Sequence, residues 1–570
     1  MCKKTRFPQA VGRIFRKEKR VIRCLSLLAI CLLTHCGAPQ PPRGVLRLNA
    51  ATGLNGLDPA YARNEATVRL TQQIFTGLVR LNAALEVEPA LAHRWEVRDS
   101  GRVYRFFLRK DVYFHPHRCL GPDSSRRVRA SDVVYSLSRI VDPAVLSPGA
   151  WIFSGRVKGA EQRLKGKSQS VDGFVALNDS VVEIRLKAAF PPFLKLLAMP
   201  YGYVVPREVI ECLGPEGFRR APIGTGPFLF RSWRPGRSLV LHRNPRYYEP
   251  GKPLLKALQV RFIGSKLSAY AAFLNHELDV LDNLDPAVVE EFFSVAGERP
   301  PNAPENILVE TAPQLTLEYL GMMTDSSLRA GHPLRNPHLR KAINYAINRR
   351  ALVRYLLRNQ ATPATAGVIP YGLPAYDSVA VRGYRYNLAK AKQHLAAAGY
   401  PGGEGLPPLV LNSNPNYRHI SAFLQKALAE IGIRLEVIDY EGSALRDQIY
   451  EGSIDFWRAS WIADYPEGEN FLALFYGPNA APEGPNTTRF RSATFDRLYR
   501  RALRTPHDSA RFALYHQMEA EIRRQAPVVP LFYYRSLSLR HPRVKGWQVS
   551  ASPLVLDLRQ VSLSPSPTED

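Results

Sequence analysis

Few residues in this chain stand at the spacings that bond-making chemistry demands. His115-Pro-His117 sets two imidazoles one residue apart, a pair that tempts as metal ligands, yet neighbouring histidines in a turn are usually plain polar loop residues. His276-Glu277 begins as a zinc-protease helix would, but Val280 stands where the second histidine belongs, and Leu278-Asp279 continues it as an ordinary helix end. Gly224-Thr-Gly226 has no third glycine at the spacing of a dinucleotide loop, and Pro227 follows. That segment reads as a turn into a strand at Phe228–Phe230. No GxSxG elbow, GxxxxGK[ST] phosphate loop or HExxH run occurs. Cys119 and Cys212 remain once the N-terminal cysteines are set aside; they are either a disulfide, as an oxidising compartment would favour, or two buried thiols. No CxxC or Cys/His cluster points to zinc. One charged pair stands out, Arg458 and Asp464, six residues apart in Phe456-Trp-Arg-Ala-Ser-Trp-Ile-Ala-Asp-Tyr-Pro466. Taken alone, Asp464 before Pro466 is a local turn residue. These absences weigh against an enzyme, and no cofactor and no metal are expected.

The N-terminus decides where such a protein works. Residues 1–23 hold nine Lys or Arg against Glu18, and an apolar run of ten follows from Cys24 to Leu33. A basic stretch before about ten apolar residues matches a signal peptide, whereas a spanning helix needs about twenty. Leu33-Thr-His-Cys36 resembles the lipobox of bacterial lipoproteins, with His35 where a small residue is usual. That resemblance implies a signal peptide at 1–35, a lipidated Cys36 and a short tether over 36–43.

About 530 residues remain, more than one hydrophobic core organises, so at least two lobes are expected. The net charge of +27 falls to +19 without residues 1–35, whose nine basic and one acidic residue contribute +8. The basic residues are scattered and form no block, which argues for a solvated surface and against nucleic acid. Val181–Lys187 alternates, with Val182, Ile184 and Leu186 on one face and charge on the other: a half-buried strand. Ser131 reads as the cap of a helix carrying Val133, Val134, Leu137 and Ile140, which Asp142-Pro143 ends. Asn336-Pro337 opens another, with Leu339, Ile343 and Ile347 every four residues. A third runs through Ile420, Leu424 and Leu428 to Gly432, and a strand follows over Ile433–Ile438. The class is α/β.

Several longer segments then combine. Leu57-Asp-Pro-Ala60, Ile74-Phe-Thr-Gly-Leu-Val-Arg80, Glu88-Pro-Ala-Leu-Ala92, Asp111-Val-Tyr-Phe-His115, Ala130-Ser-Asp-Val-Val-Tyr135, Pro222-Ile-Gly-Thr-Gly-Pro-Phe228, Arg243-Asn-Pro-Arg-Tyr-Tyr248 and Leu339–Ile347 occur in this order. Together they resemble the family 5 extracellular solute-binding proteins, peptide and nickel receptors of bacterial ABC importers. The resemblance implies a class II periplasmic binding protein-like fold whose two lobes close on a hinge. Lobe 1 would hold 44–312 plus 531–565, with an extra subdomain at 89–213; lobe 2 would hold 313–530. Val528–Tyr534 would return as a crossover strand. The implied partners are short peptides, a permease and its ATPase subunits, and the membrane through the lipid anchor. A monomer is implied, in the periplasmic space or on the outer face of the cell membrane.

Phe456–Pro466 is similar to the binding segment of oligopeptide receptors, which gives its residues implied roles. A buried zwitterionic peptide needs both its charges met. Asp464 would face the ammonium. Arg458 would pair with the carboxylate of a ligand of matching length, or else hold a neighbouring carboxylate. The backbone of Ser460 and Ile462 would take the peptide as an added strand. Trp461 would line a side-chain pocket or belong to the core, and Asn64 and Glu65, within Arg63–Ala66, would flank the peptide from the other lobe. A receptor of the same family for chelated nickel, haem or an oligosaccharide is the alternative, against which the acidic Asp464 run speaks.

Overall fold

The computed structural model describes residues 44–565 except 283, 295–297, 326, 327 and 329. The expected signal peptide, Cys36 and the tether lie outside the described residues.

In chain order, β1 (Val45–Asn49) is followed by a small hairpin, β2 (Val79–Leu81) and β3 (Val87–Pro89). Next come β4 (Ala92–Arg98), β5 (Val103–Leu108), β6 (Phe174–Asn178) and β7 (Val181–Arg185), a sheet ordered β4-β5-β7-β6. Then β8 (Phe228–Arg234), β9 (Ser238–Arg243) and β10 (Ala257–Arg261) join β1 in the order β1-β10-β9-β8. The third sheet takes β11 (Val280–Asp282), β12 (Leu308–Met322), β13 (Ala361–Pro363), β14 (Leu409–Ser413), β15 (Leu435–Asp439), β16 (Phe456–Ile462) and β17 (Val528–Arg540). Its order is β11-β17-β12-β16-β14-β15, with β13 also on β17.

Two of these strands are long enough to serve two cores. At one end of the β12–β17 pair, Val309 and Leu539 pack with Phe273 and Phe292. At the other, Leu320 and Leu531 pack with Leu339, Ile343 and Leu424. Between them the register breaks from Pro313 to Leu317, where proline has no N–H to give the ladder. The sheet β4–β7 has a core of its own around Phe106, Leu137, Phe153 and Ile184. This is an α/β fold of two lobes joined by hinge strands.

Local readings meet the structure with two corrections. In β7, Val182 and Ile184 are buried as expected, but Glu183 is only 5% exposed. Arg105 at 2.7 Å and Arg185 at 2.8 Å neutralise it there. The helix at Ala130–Ile140 is capped at Arg129, not at Ser131; the Asp132 carboxylate accepts from the Arg129 N–H at 2.8 Å and closes the first turn. Asn336 does cap Pro337–Ala346, its Oδ1 accepting from His338 N–H at 2.9 Å. Cys119 and Cys212 are bonded, with Cα atoms 6.1 Å apart. Among the described residues no helix is long and apolar enough to cross a membrane.

Candidate functional site

The site starts from the pleat of β16. Trp457 faces the core, fully buried, so its neighbours at even numbers face the other way. Ala463 N–H donates to Leu315 O at 2.9 Å, and Ile462 and Ser460 stand opposite Thr316 and Glu318. Antiparallel partners alternate between pointing their amides at each other and away. Ser460 and Ile462 therefore turn N–H and C=O away from β12. On that far side, among the described residues, β14 pairs with β16 only at Asn412↔Trp457. Beyond Trp457 the edge is open. Ser460 and the half-exposed Ile462 line a cleft of about 1050 Å³, with Glu65, Arg69, Tyr417 and Tyr534 among its walls. Thr316 and Trp547 also line it, and Thr316 Oγ1 and Trp547 Nε1 are buried without a hydrogen-bond partner among the described residues. Such groups cost free energy unless something in the cleft meets them.

Asp464 lies just past the end of this edge. It lines a second cavity of about 180 Å³ together with Arg63, Tyr201 and Tyr247, and the two cavities share Ser552, Val555 and Leu556. Asn470 holds the loop: its Nδ2 donates to Asp464 Oδ2 at 3.3 Å and its Oδ1 accepts from Asp464 N–H at 3.3 Å. The same Oδ1 accepts from Trp461 Nε1 at 2.9 Å. No cation among the described residues pairs with Asp464. Water reaches the residue, yet the crowding of protein around it raises the carboxyl pKa, and the Asn470 bond only partly opposes this. A partly desolvated carboxylate without a counter-ion favours an incoming cation.

Arg458 is placed differently. Its Nε and Nη2 both donate to Glu318, the second at 2.7 Å, and its guanidinium lies 3.2 Å from the centre of the Tyr417 ring. Glu318 is fully buried. Burial pushes its carboxyl up to about 7 while Glu318 in turn holds Arg458 above its ordinary value. The two shifts point opposite ways for the ionised pair. The bidentate geometry decides for ionisation, because the guanidinium keeps its proton near neutrality. Arg458 lines neither cavity. Of its two expected roles, the structure gives it the neighbouring carboxylate.

The remaining expected residues divide similarly. Asn64 caps the helix Glu65–Ile74, accepting from Thr67 N–H at 2.8 Å. Glu65 faces the cleft and pairs with Arg69 at 3.0 Å. Trp461 packs on the core and orients Asn470 instead of lining a cavity. His115 is buried, bonded to Gly226 O at 2.9 Å, and burial pushes it down to about 4. His117 Nδ1 accepts from Cys119 N–H at 3.3 Å. Among the described residues no group of three metal-ligating side chains forms. The sequence reading missed Glu318 and Asn470. Glu318 did carry a signal, a lone acid in the apolar strand Leu315–Met322, which calls for a buried partner. Asn470 carried none.

Comparison with known proteins places this geometry. The chain is 27% identical over 492 residues to heme-binding protein A of Haemophilus influenzae, covering 84% of each chain. It is 26% identical to the periplasmic oligopeptide-binding protein of Salmonella typhimurium, over 93% of this chain and 96% of that one. The solved periplasmic binding protein of a Helicobacter pylori ABC transporter, in complex with a peptide, superposes with a TM-score of 0.69 at 27% identity, over 91% of this chain and 98% of that one. The family description "bacterial extracellular solute-binding proteins, family 5 Middle" matches residues 86–483. With an open strand edge along a cleft and a family match over most of its length, this chain belongs to the family 5 bacterial extracellular solute-binding proteins.

Proposed function

We propose that this protein is the substrate-binding subunit of an ABC importer, capturing short peptides between its lobes and delivering them to a permease driven by ATPase subunits. The observation that carries the reading is Asp464, an uncompensated carboxylate at the end of an open strand edge. A peptide laid on Ser460 and Ile462 as an added strand brings its ammonium towards that carboxylate. These contacts use only what all peptides share. Glu65, with Arg63, flanks the ligand from lobe 1, and the chain passes between lobes near 312/313 and 530/531. The peptide-named relatives support this reading. The haem-named relative makes a non-peptide ligand the second one.

Mass spectrometry of ligands carried by the protein from its own host tests it. Peptides with free N-termini are expected; haem, a nickel chelate or an oligosaccharide in their place would overturn the reading. The same proposal places the protein at the cell envelope through an acylated Cys36. Cys36→Ser should move it out of the detergent phase or leave an unprocessed precursor.

A further inference from the structure

The loop that presents Asp464 is gripped from outside its own lobe. Lys195 stands on the short helix Phe193–Leu197, whose Phe193, Leu196 and Leu197 belong to the subdomain core. Its Nζ donates to Pro466 O at 2.8 Å and to Glu467 Oε2 at 2.6 Å. Tyr465, between these contacts and Asp464, is buried in that same core, with its ring 6.3 Å from Trp151. The two residues after Asp464 are thus held by the opposite side of the cleft.

Glu467 does not need Lys195 to be tolerated where it is. It is 2% exposed, and its own side of the cleft supplies Tyr515 OH at 3.2 Å and Arg511 Nη2 at 3.5 Å. Lys195 lines neither cavity, so it has no direct claim on a ligand. What it adds is a tie across the cleft, two and three residues from the carboxylate. Opening the lobes separates Lys195 from both acceptors while leaving Glu467 with its other partners.

We propose that Lys195 is a positioning residue, which docks the Asp464 loop when the lobes close and lets go when they open. This rests on the peptide-trap reading above. A contact made only after closure acts on release more than on capture, because encounter happens with the open form. The tie therefore sets how long a ligand stays.

Two measurements on the full protein test this, with trialanine as the probe. In the wild type, amine acylation followed by mass spectrometry should find Lys195 reactive without trialanine and protected with it. In Lys195→Met, the release rate should rise about tenfold while the association rate stays within about twofold. Lys195→Arg, which keeps charge and reach, should restore most of the slow release. Trialanine binding to wild type with Lys195 reactivity unchanged would overturn the tie and leave the peptide reading standing. An unchanged release rate in Lys195→Met would do the same. So would a lowered ligand-free melting temperature with both rates disturbed, since the contact would then serve the fold in every state. Failure of wild type to bind trialanine or any member of a tri- to pentapeptide library would overturn the peptide reading, and the tie with it.

Discussion

At one end of β16, Arg458 lies against Tyr417 with two of its N–H groups on the buried Glu318. Just past the other end, Asp464 shares its cavity with Arg63 and Tyr201, but among the described residues its hydrogen bonds go to the Asn470 amide. Both are charged residues of one short segment, and in sequence they look like matched halves of a zwitterion receptor. The difference lies in the neighbouring strand. β12 sets an acid beside Arg458 and offers Asp464 no base. A charge met from inside belongs to the fold, while a charge left unmet at an open edge is available to a ligand. Changing each residue should therefore damage different properties.

The largest effect is expected at Arg458. Arg458→Met strands Glu318 in the interior, and losing one partner of a buried pair costs about 3–5 kcal/mol. Urea unfolding should show that loss, and adding Glu318→Gln should recover much of it. The pH dependence carries a definite sign. Burial already raises Glu318, and without Arg458 only the weaker Ser460 hydrogen bond opposes that. A carboxyl whose folded pKa lies above its unfolded one adds stability at low pH and loses it as pH rises through the folded value. The variant should thus be more stable near pH 5 than near pH 7. Equal stability at the two pH values would mean that the pair is not what holds this site.

Asp464→Asn should do the reverse. Unfolding should move by no more than about 0.5 kcal/mol. Peptide affinity should fall by about 2 kcal/mol, roughly thirty-fold, because the ammonium loses its counter-charge in a site that water still reaches. N-acetylating the peptide should cost wild type a similar amount and the variant little. An acetylated peptide that binds wild type as well as the free one would remove Asp464 from the site. The edge itself should contribute less. N-methylation of the peptide amides that meet Ser460 and Ile462 should cost about 1 kcal/mol each by calorimetry, in wild type and Asp464→Asn alike.

How much of this the sequence could show follows from the range of each cause. Alternation in Val181–Lys187 and the cap at Asn336 are local, and both strand and helix formed where that logic put them. Ser131 failed as a cap because Arg129 and Asp132 close the turn first. Ser460 and Ile462 followed from a family resemblance, but that their edge is open depends on where β14 stops pairing, which no local pattern encodes. Arg458 misled for the same reason. Its partner lies 140 residues earlier in the chain, and only the β12–β16 register brings the two together.

The smallest effect separates the two ends by proton linkage. In the ligand-free protein, desolvation raises Asp464, so acid protonates it sooner than an ordinary aspartate. A bound ammonium favours the ionised form and lowers that pKa again. Affinity is therefore full above the ligand-free pKa and is lost as pH falls through it. From about pH 7 to about pH 5.5 the peptide ammonium stays protonated, and the loss should remain below about 1 kcal/mol. Other titratable groups share the cleft, among them His419, whose pKa burial lowers. Asp464→Asn supplies the control, because it keeps all of those and removes only the carboxylate. Calorimetry should show wild-type affinity declining on acidification and the variant nearly flat. If both decline in parallel, the proton goes elsewhere, and the ammonium does not sit on Asp464.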